Sequence, residues 1–186
     1  MKPFSLWIFA LMIAALACAG SQTKPGTLVT GFTADMLPMT VGNTWTYTYR
    51  GMPREPQTVE IKIDDAQDFN GKKYYHFTGW FSLTLRGDQG GVWLRHADGA
   101  IWMRTDSHEE KAVGTGLDNT ELTVAPEDYE TADGTVARAD AVFRTCVRCA
   151  DAGGPMYFVR GKGVVLVGMS AIWGGASYKL IKADLK

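Results

Sequence analysis

Side chains that alternate between apolar and polar from Asn43 onward restrict this chain to strands with one buried and one wet face, because only a pleated strand repeats its facing every second residue. In NTWTYTYR (43–50), Trp45, Tyr47 and Tyr49 alternate with threonines; in VEIKID (59–64), Val59, Ile61 and Ile63 alternate with Glu60, Lys62 and Asp64. Further strands are expected at 122–125, 135–144, 156–160, 164–170 and 177–185, with turn residues between them. Gly114–Gly116 and the acidic stretch 125–134 read as loops, the latter with room for one helical turn. No stretch carries a helical stripe. The pattern predicts an all-β domain, an antiparallel β-sandwich or partial barrel of roughly 9–11 short strands.

Two hairpins allow register to be predicted. A two-residue turn at Asn70-Gly71 would set Glu60 opposite Phe81 and mix charge into an aromatic face. A three-residue loop, Phe69 to Gly71, instead pairs Val59 with Phe81, Ile61 with Gly79 and Ile63 with Phe77, and puts His76 opposite Asp64. The second register keeps the apolar set on one side and is the one expected. In GVWLRHADGAIWMRTD (91–106), Asp98-Gly99 signals a two-residue turn, pairing Ala97 with Ala100, His96 with Ile101, Arg95 with Trp102, Leu94 with Met103 and Trp93 with Arg104. Val92, Leu94, Ile101 and Met103 then share a core face. Trp93, Arg95, Trp102 and Arg104 form a square of indoles and guanidinium groups on the other.

The first residues, MKPF, lead into an apolar run from Phe4 to Ala17 broken only by Ser5. A membrane-crossing helix needs about 20 apolar residues, so this shorter run after one lysine reads as a signal peptide, residues 1–17. It ends in Ala15-Leu16-Ala17-Cys18, which resembles the lipobox of bacterial lipoproteins, with Ala15 where that family most often has leucine. The resemblance implies that Cys18 becomes the first mature residue and carries the lipid, with palmitate as the usual label. Ordinary secretory cleavage after Ala17 or Ala19 is the alternative. Ala19 stands where an aspartate would retain many such proteins at the inner membrane, so the outer membrane is expected, on its periplasmic face or at the cell surface. Residues 18–27 read as lipidated cysteine plus flexible tether, and 28–186 as a single domain.

Cleavage before Cys18 leaves 169 of the 186 residues, enough for one real core. Lys2 is the one charge lost, leaving 18 of 19 basic side chains against 20 acidic ones. That near-neutrality argues against a nucleic-acid partner and against long-range attraction to anionic lipid. Cys146 and Cys149 remain as a pair in an oxidising compartment, where a disulfide is expected.

Two stretches resemble a group of small, uncharacterised bacterial lipoproteins. Pro38-Met39-Thr40-Val41-Gly42-Asn43-Thr44-Trp45-Thr46-Tyr47 is similar to their "P, three residues, G-N-x-W-x-Y" opening. Tyr157-Phe158-Val159-Arg160-Gly161-Lys162-Gly163-Val164-Val165-Leu166-Val167 is similar to their "Y-F-x-x-G-x-G-x-x-x-V" strand pair, with Arg-Gly-Lys-Gly in place of the more usual alanine-proline turn. The resemblance implies an all-β domain on a lipid anchor and carries no activity to transfer. Physically, the opening reads as a strand entrance: Pro38 favours an extended neighbour, Gly42-Asn43 turns the chain, and Trp45 enters the core.

No motif demands an enzyme. A redox role for Cys146-Val-Arg-Cys149 would need a helix starting at the motif, which ADAGGPMYFV cannot supply, and two cysteines make a poor zinc site. Arg160-Gly161-Lys162-Gly163 lacks the Ser or Thr and the helix of a phosphate loop. His76, His96 and His108 lack ligand spacing, and Glu109-Glu110 and Glu127-Asp128 look like solvated loop charge. No catalytic residue, metal or cofactor is expected. The square of Trp93, Arg95, Trp102 and Arg104 is the candidate binding patch, for an envelope protein or a glycan, unless a second sheet covers it or it merely stitches its hairpin. The leading expectation is a non-enzymatic binding or envelope-accessory module; the alternatives are a carrier enclosing a lipid or other apolar ligand in a half-open sheet, and a periplasmic thiol oxidoreductase.

Overall fold

The alternation at 43–50 becomes strand β1 (Thr44–Gly51), in which Trp45 and Tyr47 are each 1% exposed. The computed structural model describes residues 31–51, 55–79, 91–104, 109–113, 121–144, 152–171 and 175–186. Strands β2 (Gln57–Phe69) and β3 (Lys72–Thr78) form one hairpin and β4 (Val92–Ala97) and β5 (Ala100–Arg104) another, with β6 (Glu110–Ala112) beside β5. The C-terminal half supplies β7 (Glu121–Thr123), β8 (Glu127–Glu130), β9 (Val136–Ala139), β10 (Ala141–Arg144), β11 (Ala152–Gly153), β12 (Pro155–Val159), β13 (Gly163–Ala171) and β14 (Ala176–Asp184). Eleven strands run in the order β6-β5-β4-β3-β2-β1-β14-β13-β12-β10-β7, with β11 beside β13, while β8 and β9 make a separate pair. Among the described residues all the pairings are antiparallel and β6 does not pair with β7, so the large sheet is not closed into a barrel there.

One face of this sheet carries a continuous apolar band. Trp45 stands opposite Ile61 on one side and Ala183 on the other. Ile63 stands opposite Phe77, Tyr75 opposite Leu94, and Leu94 opposite Met103. In the other direction Tyr178 meets Val167, Val167 meets Met156, Met156 meets Phe143, and Phe143 meets Leu122. Ile63, Phe77, Phe158 and Met156 are at most 2% exposed. Burying each such side chain contributes about 1.5–3 kcal/mol, so this face is the main stabilising element.

Residues 31–37 strap the two halves together. Phe32 donates its backbone N–H to the Gly99 carbonyl at 3.2 Å, its own carbonyl lies 2.5 Å from His96 Nε2, and its ring packs edge-on against Phe158 at 5.1 Å. A short 3-10 turn, Ala34–Met36, then sets Met36 and Leu37 into the core at 0% and 2% exposure. The Asp35 carbonyl accepts the Gly161 N–H at 2.7 Å. Thus one short segment ties the β4–β5 turn to the β12–β13 turn.

The two stretches that carried the family resemblance meet here. Trp45 Nε1 donates to the Lys162 carbonyl at 2.6 Å and the Tyr47 hydroxyl to the Val164 carbonyl at 2.8 Å. Gly163 has φ +84°, and a β-carbon there would stand 2.9 Å from Trp45 Nε1, so both its conformation and its room belong to glycine. Asn43, 0% exposed, donates its side-chain amide to the Pro38 carbonyl at 3.0 Å and accepts the Lys186 N–H at 2.8 Å. It closes the entrance of β1 onto the C-terminus of the chain.

Several expectations need correction. The β2–β3 turn has two residues, not three: Asn70 and Gly71 have φ +53° and +74°, and Phe69 pairs with Lys72. A bulge between Ile63 and Asp65 then restores the pairing of Ile63 with Phe77. Turn chemistry sets the register near the loop, core packing sets it at the far end, and Asp64 absorbs the difference. Asp64 still meets His76, at 2.7 Å. The acidic stretch 125–134 contains a strand, β8, paired with β9 across a Thr131–Thr135 turn, and 135–144 is two strands broken at Asp140, not one. Fourteen strands lie among the described residues. The β4–β5 register is as expected at all five pairs, with Asp98 and Gly99 at φ +55° and +73°.

Replacing Asn43 with alanine removes both side-chain bonds and leaves the Pro38 carbonyl and the Lys186 amide unsatisfied near the core. A loss of about 2 kcal/mol in unfolding free energy is expected in urea titration, and an unchanged midpoint would show that water fully replaces the side chain.

Candidate functional site

The bulge at Asp64 reverses the facing of the second half of β2 and so brings Phe69 to the outer face of the sheet. There its ring packs edge-on against Tyr74 at 5.6 Å and Trp93 at 5.3 Å. The His76 ring lies 4.7 Å from Trp93 on the other side. Cross-strand pairing puts Arg95 beside Trp102 and Trp93 beside Arg104, so Trp93, Arg95, Trp102 and Arg104 do share one face. The Arg95 guanidinium lies 5.6 Å from the Tyr74 ring centre and 5.1 Å from that of Trp102; Arg104 sits 3.4 Å from that of Phe69. No second sheet covers this square among the described residues. Its members cover one another, leaving Arg95 9% exposed and both indoles half-buried.

Glu110 joins the cluster from β6. Its carboxylate accepts hydrogen bonds from Arg95, from the Tyr74 hydroxyl and, at 2.5 Å, from Lys72. Glu110 is therefore a buttress and not solvated loop charge, because the short edge strand β6 carries it to Arg95. Partial desolvation pushes its pKa up, but the bonds from Lys72, Tyr74 and Arg95 outweigh that and hold it at about 2. Burial and the bond to Glu110 raise the Tyr74 pKa. The charged and aromatic groups thus satisfy each other, and the cluster stitches five strands, β2 to β6, along their outer face. Trp93 and Trp102 stay half-buried at its surface.

A second cluster lies on the opposite half. Glu127 of β8 binds Arg144 and, at 2.9 Å, the Tyr157 hydroxyl; Tyr129 stacks on Tyr157 at 5.8 Å; Lys179 reaches Glu130 at 2.6 Å. The Arg144 bond first, then the one from Tyr157, lowers the Glu127 pKa against partial burial. These contacts hold the β8–β9 hairpin over the outer face of β12 to β14. Beside it opens a groove of about 470 Å³, walled by Tyr129, Gly161 and Lys162 on one side and Ile181, Lys182 and Leu185 on the other, with Val165 also lining it. Register breaks at Tyr157/Phe158 and at Thr46/Tyr47 leave Val165 and Ile181 as the extra residues of neighbouring strands. Val165 is covered to 4% exposure, whereas Ile181 stays 54% exposed.

Cys18, Cys146, Cys149 and His108, like the signal segment and tether, lie outside the described residues. Sequence reasoning missed Phe69, Tyr74 and Glu110 as members of the square and missed the groove altogether. The bulges that create both follow from competing registers, and no local motif marks them.

The fold and these surfaces define an all-β protein, one strapped antiparallel sheet with polar-aromatic stitching outside. No protein-family model matches the chain, and no curated relative does. Two solved structures align with 80% of this chain and 98% of their own: a "putative lipoprotein" from Parabacteroides distasonis, 9% identical with TM-score 0.43, and a "putative exported protein with YmcC-like fold" from Bacteroides fragilis, 11% identical with TM-score 0.40.

Because the folded Glu110 pKa lies near 2, below the usual value of 4.5, its contribution to stability is fully present above pH 4.5 and declines as pH falls toward 2. Allowing for solvent screening of a side chain that is 21% exposed, about 1–2 kcal/mol is at stake. Glu110→Gln should lower stability at pH 7 and flatten this acid limb in pH-dependent denaturation, and an unaltered limb would assign acid sensitivity to other groups.

Proposed function

We propose that this chain is a lipid-anchored protein of the bacterial envelope whose β domain serves as a non-enzymatic binding or accessory module, held at the outer membrane through Cys18. The observation that carries this reading is the cysteine at the end of an apolar run too short to span a bilayer. Its thiol is the nucleophile that accepts a diacylglyceryl group, and acyl chains contribute about 0.8 kcal/mol per buried CH₂, so more than one chain makes a lasting anchor. The described domain suits such an attachment. Its first described residues form the strap, so a pull on the tether is transmitted to both halves of the sheet through Phe32 and Asp35.

A partner protein or glycan would be met by the edges of Trp93 and Trp102, since indoles backed by fixed guanidinium groups lose little freedom on binding. An apolar carrier with its cargo inside the curl is disfavoured, because Met36, Trp45, Tyr47, Phe77 and Phe158 fill the inner face at 0–1% exposure. Cys146→Ser with Cys149→Ser separates a structural bridge, whose loss lowers the melting temperature, from a redox pair, whose loss abolishes reductant-dependent turnover with the fold kept.

Cys18→Ser should abolish metabolic palmitate labelling and release the protein from the membrane fraction. Labelling and fractionation that ignore the substitution would overturn the anchored reading. In pull-downs from intact envelopes, Trp93→Ala with Trp102→Ala should lose the captured partner while the melting temperature shows the domain still folded. Retention of the same partner by that variant would move the binding surface elsewhere.

A further inference from the structure

The outer groove beside the β8–β9 hairpin combines features that neither the core nor the aromatic square accounts for. Register breaks on adjacent strands add one residue each, Val165 on β13 and Ile181 on β14, so that Ile181 and Lys182 stand side by side off the core face. The hairpin covers Val165 but leaves Ile181 more than half exposed. Lys162 and Lys182 both line the same groove, Lys182 paired with Asp184 at 2.6 Å, so its lining joins an exposed aliphatic side chain to lysine ammonium groups.

Its walls are fixed in advance. The Gly161–Lys162 side is held by the Gly161 N–H to Asp35, by the Lys162 N–H to the Val159 carbonyl at 3.0 Å, and by the Trp45 indole on the Lys162 carbonyl. The Leu185 side is held by the bond from the neighbouring Lys186 N–H to buried Asn43. At about 470 Å³ the groove is within the range of small-ligand sites, about 300–1,000 Å³.

Its position selects the occupant. Gly161 both lines the groove and bonds the strap, so the groove opens beside the segment through which the tether enters the domain. The 12 residues from 19 to 30 separate Cys18 from the strap, and at about 3.3–3.6 Å per extended residue they reach no more than about 40 Å. On the anchored reading above, on which this inference rests, the groove therefore stays within one tether length of a bilayer.

We infer that this groove binds an anionic phospholipid of the membrane that holds the anchor, an acyl chain lying along Ile181 and Leu185 and the phosphate meeting Lys162 and, in exchange for Asp184, Lys182. The chain's near-neutral total charge is no obstacle. The tether supplies proximity, and two lysines act only at contact, within a Debye length.

The test uses the mature chain carrying Cys18→Ser, so that the acyl anchor contributes nothing. Flotation with vesicles of phosphatidylcholine containing about 30% phosphatidylglycerol should carry the protein upward, and pure phosphatidylcholine vesicles should carry much less. Ile181→Asp and the pair Lys162→Glu with Lys182→Glu should each weaken binding about tenfold. All three positions are exposed, and an unchanged melting temperature shows that these variants fold. Failure of the parent to float, or equal flotation by the variants, overturns the inference. Displacement from the vesicles by about 10 mM inorganic phosphate, at constant ionic strength, overturns it in favour of a simple anion site. Palmitate labelling of the unsubstituted chain reads the anchor separately, so failure of the anchor and failure of the groove are distinct results.

Discussion

The pairing of β1 with both β2 and β14, locked by the reach of Trp45 and Tyr47 to the carbonyls of Lys162 and Val164, is the constraint on which the rest of this structure depends. A long open sheet has no intrinsic reason to curl to one fixed degree. Here two aromatic donors on a central strand find carbonyl acceptors 117 residues away, and each buried donor left unmatched would cost about 1–3 kcal/mol. Gly163 lets the backbone come close enough for this, and Asn43 ties the C-terminus to the same corner. The strap then needs only Phe32, Met36 and Leu37 to fill what the curl leaves open.

Irregularities in the ladder, more than the ladder itself, decide what the outer surface looks like. A sheet of unbroken alternation would keep Phe69 on the inner face with the other odd positions of β2, and would turn Lys182 inward after Tyr178 and Leu180 of β14. The bulge at Asp64 moves Phe69 outward to receive Arg104 and Trp93; the break opposite Thr46/Tyr47 keeps Lys182 outward beside Ile181 and returns Ala183 to the core. The Asp64 break follows from two local demands that want different registers. Asn70-Gly71 wants a two-residue turn while Ile63 must meet Phe77, and the sheet satisfies both by spending one residue between them.

This explains which parts were legible in the sequence. The β4–β5 hairpin was readable to the residue, because Asp98-Gly99 and the apolar alternation agree on one register. The β2–β3 hairpin was readable only at its far end, where Ile63 and Phe77 must be buried, since the turn and the core disagree and a bulge cannot be located from either alone. Glu110 and Glu127 looked like idle loop charge because their partners, Arg95 and Arg144, are 15 and 17 residues away and meet them through strand pairing. The strap at 31–37 has no periodicity to betray it. Pro38, Asn43 and Trp45 mark a strand entrance in the sequence, and only the structure shows that Asn43 also satisfies backbone groups from both flanks.

The two outer surfaces differ in a way that assigns them different work. In the aromatic square, Glu110 answers Arg95, Phe69 answers Arg104, and what remains for a partner is the edges of indoles, a surface that resists deformation but carries little free charge. Along the groove, an exposed isoleucine lies next to lysine, and nothing among the described residues covers it. A rigid aromatic patch suits recognition of a fixed shape, whereas an aliphatic trough with cationic sides suits a ligand whose tail is flexible and whose head is charged. Because the strap joins the groove's wall to the tether, that second surface is the one a membrane attachment would keep close to lipid. The square lies at the other half of the sheet, built on β2 to β6.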